Sequence, residues 1–319
     1  MGKILITGAN GYLGAQISSY LSQQGYHVSG LCFPAIPTDT TWQKQFEELF
    51  ACDIRDEKKL AEIAEKKFDT IIHLVSLDHH QSNATPSEVV SVNVLPTWNL
   101  LDIFSKQGLK KFLYLSTIHV YGKNLNGIIS EEYPVNCTNP YAMTHYLSEN
   151  ICRYYAENSE TKCLIARLSN SFGQPVFADN NCWWLVVNDL CRNAFSNKKI
   201  ILQSDGSPLR DFIYGNDVCR AINTILQKGA NNNSYHISSG TTYNLLELAK
   251  IVQKVYQKLY GKIIPVSTSQ QENISDFTIF SSTPKYKIDN RKLQELGFVQ
   301  ECSLEQGVEK LFKYLEETN

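Results

Sequence analysis

Ile4-Leu5-Ile6-Thr7-Gly8-Ala9-Asn10-Gly11-Tyr12-Leu13-Gly14 decides the fold. A short apolar run ends in glycines spaced three apart and passes directly into a helical pattern. Glycine permits the tight turn and lets backbone N–H groups close on an anion, and the positive end of the helix macrodipole favours negative charge at that spot. In a strand–turn–helix setting this points to a dinucleotide pyrophosphate seated by Gly8, Asn10, Gly11, Tyr12, Leu13 and Gly14. The plainer alternative is a glycine-rich turn that packs the helix on a sheet.

Outward from this stretch, short apolar runs alternate with helical patterns. Strands are predicted over 3–7, 27–32, 47–51, 69–75, 111–116 and 162–168, and helices over 12–24, 56–66, 86–107 and 141–158. Such alternation predicts a Rossmann-type α/β fold, a doubly wound parallel sheet covered on both faces. After about residue 172 proline, asparagine and serine become more frequent and the order of elements loosens. Helical faces still stand out from Tyr243 to Val252 and from Ser303 to Leu311, the second with Ser303 as N-cap. The expected division is therefore 1–172 for dinucleotide binding and 173–319 for a smaller α/β substrate-binding lobe, with some segments returning to the first unit.

The chain has 319 residues, 19% of them charged, and a formal net charge of −2. Nothing in it favours nucleic acid, and no apolar run approaches the roughly 20 residues that span a bilayer. Strand 3–7 leaves no room for a cleaved leader ahead of it. The nine cysteines form no Cys-x-x-Cys pair. Reduced thiols in a cytoplasmic protein are the plain reading. Asp78-His79-His80 is read as a polar loop lining a cleft, because adjacent histidines rarely converge on one ion; no metal is expected.

Two further stretches, Leu115-Ser116-Thr117-Ile118-His119-Val120-Tyr121-Gly122 and Asn139-Pro140-Tyr141-Ala142-Met143-Thr144-His145-Tyr146-Leu147-Ser148-Glu149, resemble motifs of the extended short-chain dehydrogenases/reductases, the group that contains UDP-galactose 4-epimerase. The resemblance runs through most of the chain. Cys52-Asp53-Ile54 resembles an adenine-contacting segment, and His73-Leu74-Val75-Ser76 a strand end lining the cofactor. Asn93 opens an N-x-x-x-T-x-N-L-L helix pattern. Arg167-Leu168-Ser169-Asn170 and Arg210-Asp211-Phe212-Ile213-Tyr214 resemble the entry to the substrate lobe and its signature.

The resemblance implies hydride transfer between NAD or NADP and a carbon of a nucleotide-linked sugar, by an epimerase or a 4-ketoreductase. Tyr141 becomes the acid/base, since a phenol moves protons if its pKa of about 10 is brought toward neutrality, and Thr117 holds the substrate oxygen beside it. Asp78, Asn170 and Arg210 join Thr117 as substrate contacts, Arg210 meeting the diphosphate. A homodimer through helices 86–107 and 141–158 is implied too. The end of the second strand leaves NAD against NADP open: Cys32 stands where an acid would bond the ribose, and no arginine follows to meet a 2′-phosphate.

Two positions depart from the pattern. The family's lysine four residues after the tyrosine is replaced by His145. On a helix that residue shares a face with Tyr141. It is able to bond ribose hydroxyls, but as a largely neutral imidazole it lowers the phenol pKa less than a lysine does. The 4,6-dehydratases of the group carry Asp-Glu after the threonine, whereas this chain carries Ile118-His119, which disfavours dehydration. His119 stands where the related GDP-fucose synthase uses a cysteine acid/base and is a second catalytic candidate. Two rivals remain: a cofactor-binding sensor or scaffold without turnover, and a reductase of a non-nucleotide carbonyl compound. Trp183-Trp184 suits either base stacking or burial in the lobe's core.

Overall fold

The computed structural model describes residues 2–78, 81–83, 85–268 and 286–318. Fourteen strands run along these residues: β1 (Lys3–Thr7), β2 (His27–Cys32), β3 (Glu48–Ala51), β4 (Thr70–His73), β5 (Lys111–Thr117), β6 (Gly127–Ile129), β7 (Lys162–Leu168), β8 (Asn170–Phe172), β9 (Ile200–Leu202), β10 (Leu209–Tyr214), β11 (Asn233–Ile237), β12 (Thr242–Asn244), β13 (Val266–Thr268) and β14 (Tyr286–Ile288). Seven of them form one parallel sheet in the order β11-β7-β5-β4-β1-β2-β3. The order reverses between β1 and β4. At that switch point the two flanking helices diverge and open a crevice at the carboxyl ends of the strands.

The sheet residues are apolar on both sides because helices cover both faces. Helices Tyr12–Gln23 and Gly215–Lys228 bury Ile17, Leu21, Val218, Ile222 and Ile225 on one face. Helices Glu57–Ala64, Leu95–Ser105 and Pro140–Asn158 bury Leu60, Ile63, Leu101, Phe104 and Ile151 on the other. A second core joins helices Val186–Asn197, Leu245–Tyr260 and Leu304–Thr318 to the three-stranded sheet β12-β10-β8. The Leu304 helix starts on Ser303, whose hydroxyl accepts the Gln306 amide while the Gln306 side chain takes the Ser303 amide. The chain crosses between the two cores more than once: helix Gly215–Lys228 and β11 lie on the large sheet, after β8 and β10 have contributed to the small one.

One predicted element divides. The helix expected over 86–107 is two, Pro86–Asn93 and Leu95–Ser105, with Val94 between them at φ −114° and ψ −58°. Pro96 has no N–H to give, and its ring excludes the carbonyl four residues back. The amide of Thr97 turns to Val94 instead, at 3.1 Å. This leaves the Asn93 carbonyl open, and the Ser148 hydroxyl donates to it at 2.8 Å. The break thereby ties the Pro86 helix to the Pro140 helix, which carries the candidate acid/base.

Candidate active site

The turn after β1 is closed by backbone geometry. Gly8 sits at φ +70°, a conformation other residues rarely adopt, and a Cβ on Gly14 would lie 1.9 Å from the Gly8 carbonyl oxygen. The Tyr12–Gln23 helix has no side-chain cap and no acidic residue in its first turn, so its leading amides remain open to an anion. Asn10 acts as a clamp: its amide donates to the Phe33 and Ala35 carbonyls and its oxygen accepts the Phe33 amide, which fixes the loop after β2. The Tyr12 hydroxyl donates to the Gly173 carbonyl at 3.1 Å, joining this turn to the substrate-lobe side. Leu13 packs against the adjoining core.

The rim beyond β2 and β3 is uncharged at Cys32, which is fully buried and pushed up to about 12 by that burial. Asp53 accepts two bonds from the Arg55 guanidinium, which holds its carboxyl below the usual range, and Ile54 is buried beside it. After β4 the backbone of Leu74 donates to the Thr7 hydroxyl, and Leu77 donates to Asn93. Val75 and Ser76 lie between these anchors and are partly exposed, with Val75 directly over Gly8. Asn93 is fully buried and braces this segment: its oxygen takes the Leu77 amide and its amide donates to Thr144. Each polar end of its side chain thus meets a partner within the protein.

Thr117 ends β5, and the N-terminus of the Pro140–Asn158 helix brings Tyr141 beside it, close enough for the Thr117 hydroxyl to act on the phenol. Asn139 caps that helix through the Ala142 amide at 2.8 Å. Thr117 also accepts the His119 amide, which turns His119 toward Tyr141, their ring centroids 6.0 Å apart. The phenol is pushed up to about 12. Burial is the main cause, offset in part by the Thr117 bond and reinforced by the Asp78 carboxylate. Among the described residues no lysine or arginine acts on it.

His145 lies against Tyr141, ring centroids 4.5 Å apart and nearly perpendicular. It is 3% exposed, and burial, reinforced by His119, depresses it to about 3, so it is neutral at physiological pH. Its Nδ1 meets the Tyr114 hydroxyl at 2.8 Å, while its Nε2 is buried with no hydrogen-bond partner. Tyr114 is a residue that sequence reasoning passes over. In a strand such as Phe112-Leu113-Tyr114-Leu115 it reads as one more core aromatic, and nothing in the letters tells where its hydroxyl goes.

A buried ion pair sits behind Thr117. Arg167 forks onto Glu149 at 2.9 and 2.6 Å, donates to the Tyr121 hydroxyl at 2.6 Å and to the Glu131 carbonyl at 2.9 Å. Ser116, next to Thr117, donates to the same Glu149. Removing one partner from such a pair costs roughly 3–5 kcal/mol, because the other charge stays buried alone. The motif glutamate therefore locks the Pro140–Asn158 helix to β5 and β7. The sequence resemblance gives it a letter but no task.

The substrate-lobe candidates lie close together along β8 and β10, which pair. Asn170 donates to the Asp211 carbonyl at 2.8 Å, and Arg210, partly exposed, donates to the Leu209 carbonyl and neighbours Tyr286. Asp78 is partly exposed near Tyr141 and caps a short turn through Gln81. His79 and His80 lie outside the described residues. Among the described residues no three His, Cys, Asp or Glu side chains gather to hold a metal ion. Trp183 packs against the second core, and the Trp184 indole donates to Asn181.

A family model described as the NAD dependent epimerase/dehydratase family matches residues 4–245, most of the chain. The chain belongs to that family. It is 25% identical to dTDP-D-glucose 4,6-dehydratase of Dictyostelium discoideum over 97% of this chain and 80% of the relative. It is 25% identical to UDP-glucose 4-epimerase of Bacillus subtilis over 95% of this chain and 94% of the relative. The fold is that of UDP-glucuronic acid 4-epimerase from Bacillus cereus, solved with UDP-glucuronic acid and NAD, at a TM-score of 0.80 and 23% identity over 99% of this chain and 100% of that one. The uncapped helix end, the turn that only glycines fit and the orphaned His145 Nε2 together suit a nicotinamide dinucleotide.

Proposed function

We propose that this family member is an NAD-dependent oxidoreductase of a nucleotide sugar, and that it works best in the direction that reduces a sugar ketone. The observation that carries the direction is the lack of a lysine or arginine acting on Tyr141 among the described residues, whose neighbours there are neutral His145 and the Asp78 carboxylate. A phenol held at about 12 keeps its proton at physiological pH. It is therefore poised as an acid for a ketone oxygen and poorly poised as a base for an alcohol. In this direction the hydride would come from a nicotinamide seated beside Thr117 and Tyr141. Thr117 would hold the carbonyl oxygen and Tyr141 would donate the proton that completes the hydroxyl, leaving a phenolate that takes a proton back from solvent before the next turnover. Net reduction consumes one NADH per ketone. Epimerisation asks Tyr141 to act as base first, so it is the slower use of this site.

NAD is favoured over NADP because Cys32 carries no charge and the guanidinium at this rim, Arg55, is committed to Asp53. Arg210 and Asn170 on the substrate-lobe strands supply the cation and amide suited to a nucleotide diphosphate and a sugar. Dehydration is disfavoured although dehydratases are among the relatives: Ile118 is packed in an apolar cluster and His119 follows it, where elimination would call for carboxylates. His119, on its turn beside Tyr141, is the side chain placed to shift a proton next to the ketone.

Leu95, Trp98, Met143, Leu147 and Tyr154 are exposed large apolar side chains on the Leu95–Ser105 and Pro140–Asn158 helices, a strip suited to a second copy of the chain. No helix among the described residues is long and apolar enough to cross a membrane, and all nine cysteines are free, which fits a reducing cytoplasm.

Mass spectrometry of ligands released from native protein, followed by assay on UDP- and dTDP-linked sugars and their 4-keto forms, tests the reading. Stoichiometric NADH oxidation by a keto sugar is expected. Epimerisation without net redox change contradicts the direction. Clear NAD binding with no turnover on any member would leave a sensor or scaffold.

A further inference from the structure

Ser116 on β5, Arg167 on β7 and His236 on β11 are register partners, so their side chains leave the same face of the sheet, one residue before Thr117 ends its strand. All three are buried. Ser116 and Arg167 hold Glu149 of the Pro140–Asn158 helix. His236 Nε2 meets the Tyr121 hydroxyl, and that hydroxyl also takes an Arg167 N–H at 2.6 Å. The partners settle where the protons lie. His236 Nδ1 is 2.8 Å from the Asp289 carbonyl, an atom that only accepts, so Nδ1 carries the hydrogen. Burial holds the ring at about 4, and a neutral imidazole has one N–H. Nε2 is therefore a lone pair, and Tyr121 donates to it. Arg167, which only donates, makes the same demand from the other side: the phenol oxygen must accept from it.

We propose that His236 is a positioning residue of the reaction centre: by taking the Tyr121 proton it leaves the phenol oxygen as an acceptor for Arg167, and Arg167 then holds the Thr117–Tyr121 turn and the Tyr141 helix in one register. This rests on the reading of Thr117 and Tyr141 as the reacting pair. Tyr121 closes the turn that Thr117 caps and that carries His119. The Arg167 guanidinium gives Nη1 to Tyr121, while its Nε and Nη2 go to Glu149, about two turns along the helix from Tyr141. One side chain thereby grips both halves of the centre. Without the His236 lone pair the buried Tyr121 O–H loses its acceptor, and a buried donor left so is costly enough to move its side chain and the turn with it. His236 and Tyr121 touch no reacting atom; they act through the placing of Thr117 and His119 against Tyr141.

Three variants test this by steady-state kinetics, NAD calorimetry and ¹³C NMR of the labelled Tyr141 ring. His236→Phe keeps a ring and removes the acceptor, His236→Gln returns an acceptor near Nε2, and Tyr121→Phe removes the shared oxygen. His236→Phe and Tyr121→Phe are each expected to lower kcat on the nucleotide sugar about 10- to 100-fold, with KM and NAD affinity within about threefold, and His236→Gln to recover most of that loss. The two Phe changes together are expected to cost no more than one, since they break the same link. The Tyr141 ring-carbon resonance is expected to move in both Phe variants and to stay close to the wild-type position in His236→Gln. An unchanged kcat in folded His236→Phe overturns the proposal, and so does a His236→Gln as slow as His236→Phe. NAD affinity that falls as steeply as kcat overturns it too, since the loss is then general loosening. If His236→Phe does not fold, Tyr121→Phe decides on the same readouts. A wild type without turnover overturns the reading of Thr117 and Tyr141 instead. The link is then decided by the Tyr141 resonance alone, which overturns the proposal if it stays put in both Phe variants.

Discussion

The glycine turn and the Tyr141 pocket lie at the same edge of one sheet, yet they depend on sequence in different ways. The turn works through backbone. Gly8 and Gly14 are there because no side chain fits, and the uncapped helix end supplies the charge. The pocket works through side chains that set one another's protons, so one changed residue, His145, alters the electrostatics while Thr117 and Tyr141 stay in contact. Binding is thus the robust property of this chain, and the protonation of the phenol is the adjustable one.

The largest break in the comparison comes from the turn. Gly14→Val puts side-chain carbon into the Gly8 carbonyl, and more than about 4 kcal/mol of strain is expected, enough to abolish NAD binding measured by calorimetry. Tyr141→Phe breaks only the other half: turnover falls about 10²–10⁴-fold with NAD affinity kept within roughly threefold, separated by steady-state kinetics and titration. If affinity falls as steeply as turnover, the two regions are not separable as described.

His145→Lys sharpens the contrast. A cation beside the phenol favours the phenolate and lowers the pKa by about 1–3 units. Oxidation of the sugar alcohol at neutral pH, which needs the phenolate, is then expected to speed about 10- to 1000-fold, and the rising limb of its pH–rate profile to move down by the same interval. An unmoved limb would mean that the residue four after the tyrosine does not govern its proton.

A separate effect belongs to stability. His73, His145 and His236 are buried and neutral, held at about 3, 3 and 4 mainly by burial. In the unfolded chain each titrates near ~6.5, so between there and their folded values the unfolded state binds more protons and stability falls as pH falls. Each contributes a loss of about 1.4 kcal/mol per pH unit below ~6.5. Urea midpoints at pH 7.5, 6 and 5 are expected to drop in that order, and equal midpoints would argue that these rings meet water or a charge partner.

Much of the fold is legible in the letters because it depends on periodicity and on glycine. The apolar runs at 3–7, 27–32 and 162–168 are strands with those same bounds. The 86–107 pattern keeps its helical period across Val94, and it is Pro96, whose effect is steric, that divides it. In the site, Tyr141 and Thr117 are legible as a pair because their spacing in two motifs carries them. Asn93 reads as a cofactor contact from its motif, and the structure adds bonds to Leu77 and Thr144 that brace the segment after β4 and that no motif spells out. The Tyr114–His145 bond and the Ser116–Glu149–Arg167 cluster are illegible in the letters, since they form only through the packing of one helix on β5 and β7. Local sequence encodes where a backbone turns; which hydroxyl ends against which ring nitrogen is decided by tertiary packing.

The central claim, that Tyr141 keeps its proton for want of a cation, is tested most directly by ¹³C NMR of protein labelled at the tyrosine ring carbon bearing oxygen, with Tyr141 assigned by Tyr141→Phe and titrated from pH 6 to 10. No ionisation of Tyr141 across that range is expected in the unliganded protein, with His145→Lys bringing its transition into view. A Tyr141 signal that titrates near neutrality with His145 in place would contradict the account.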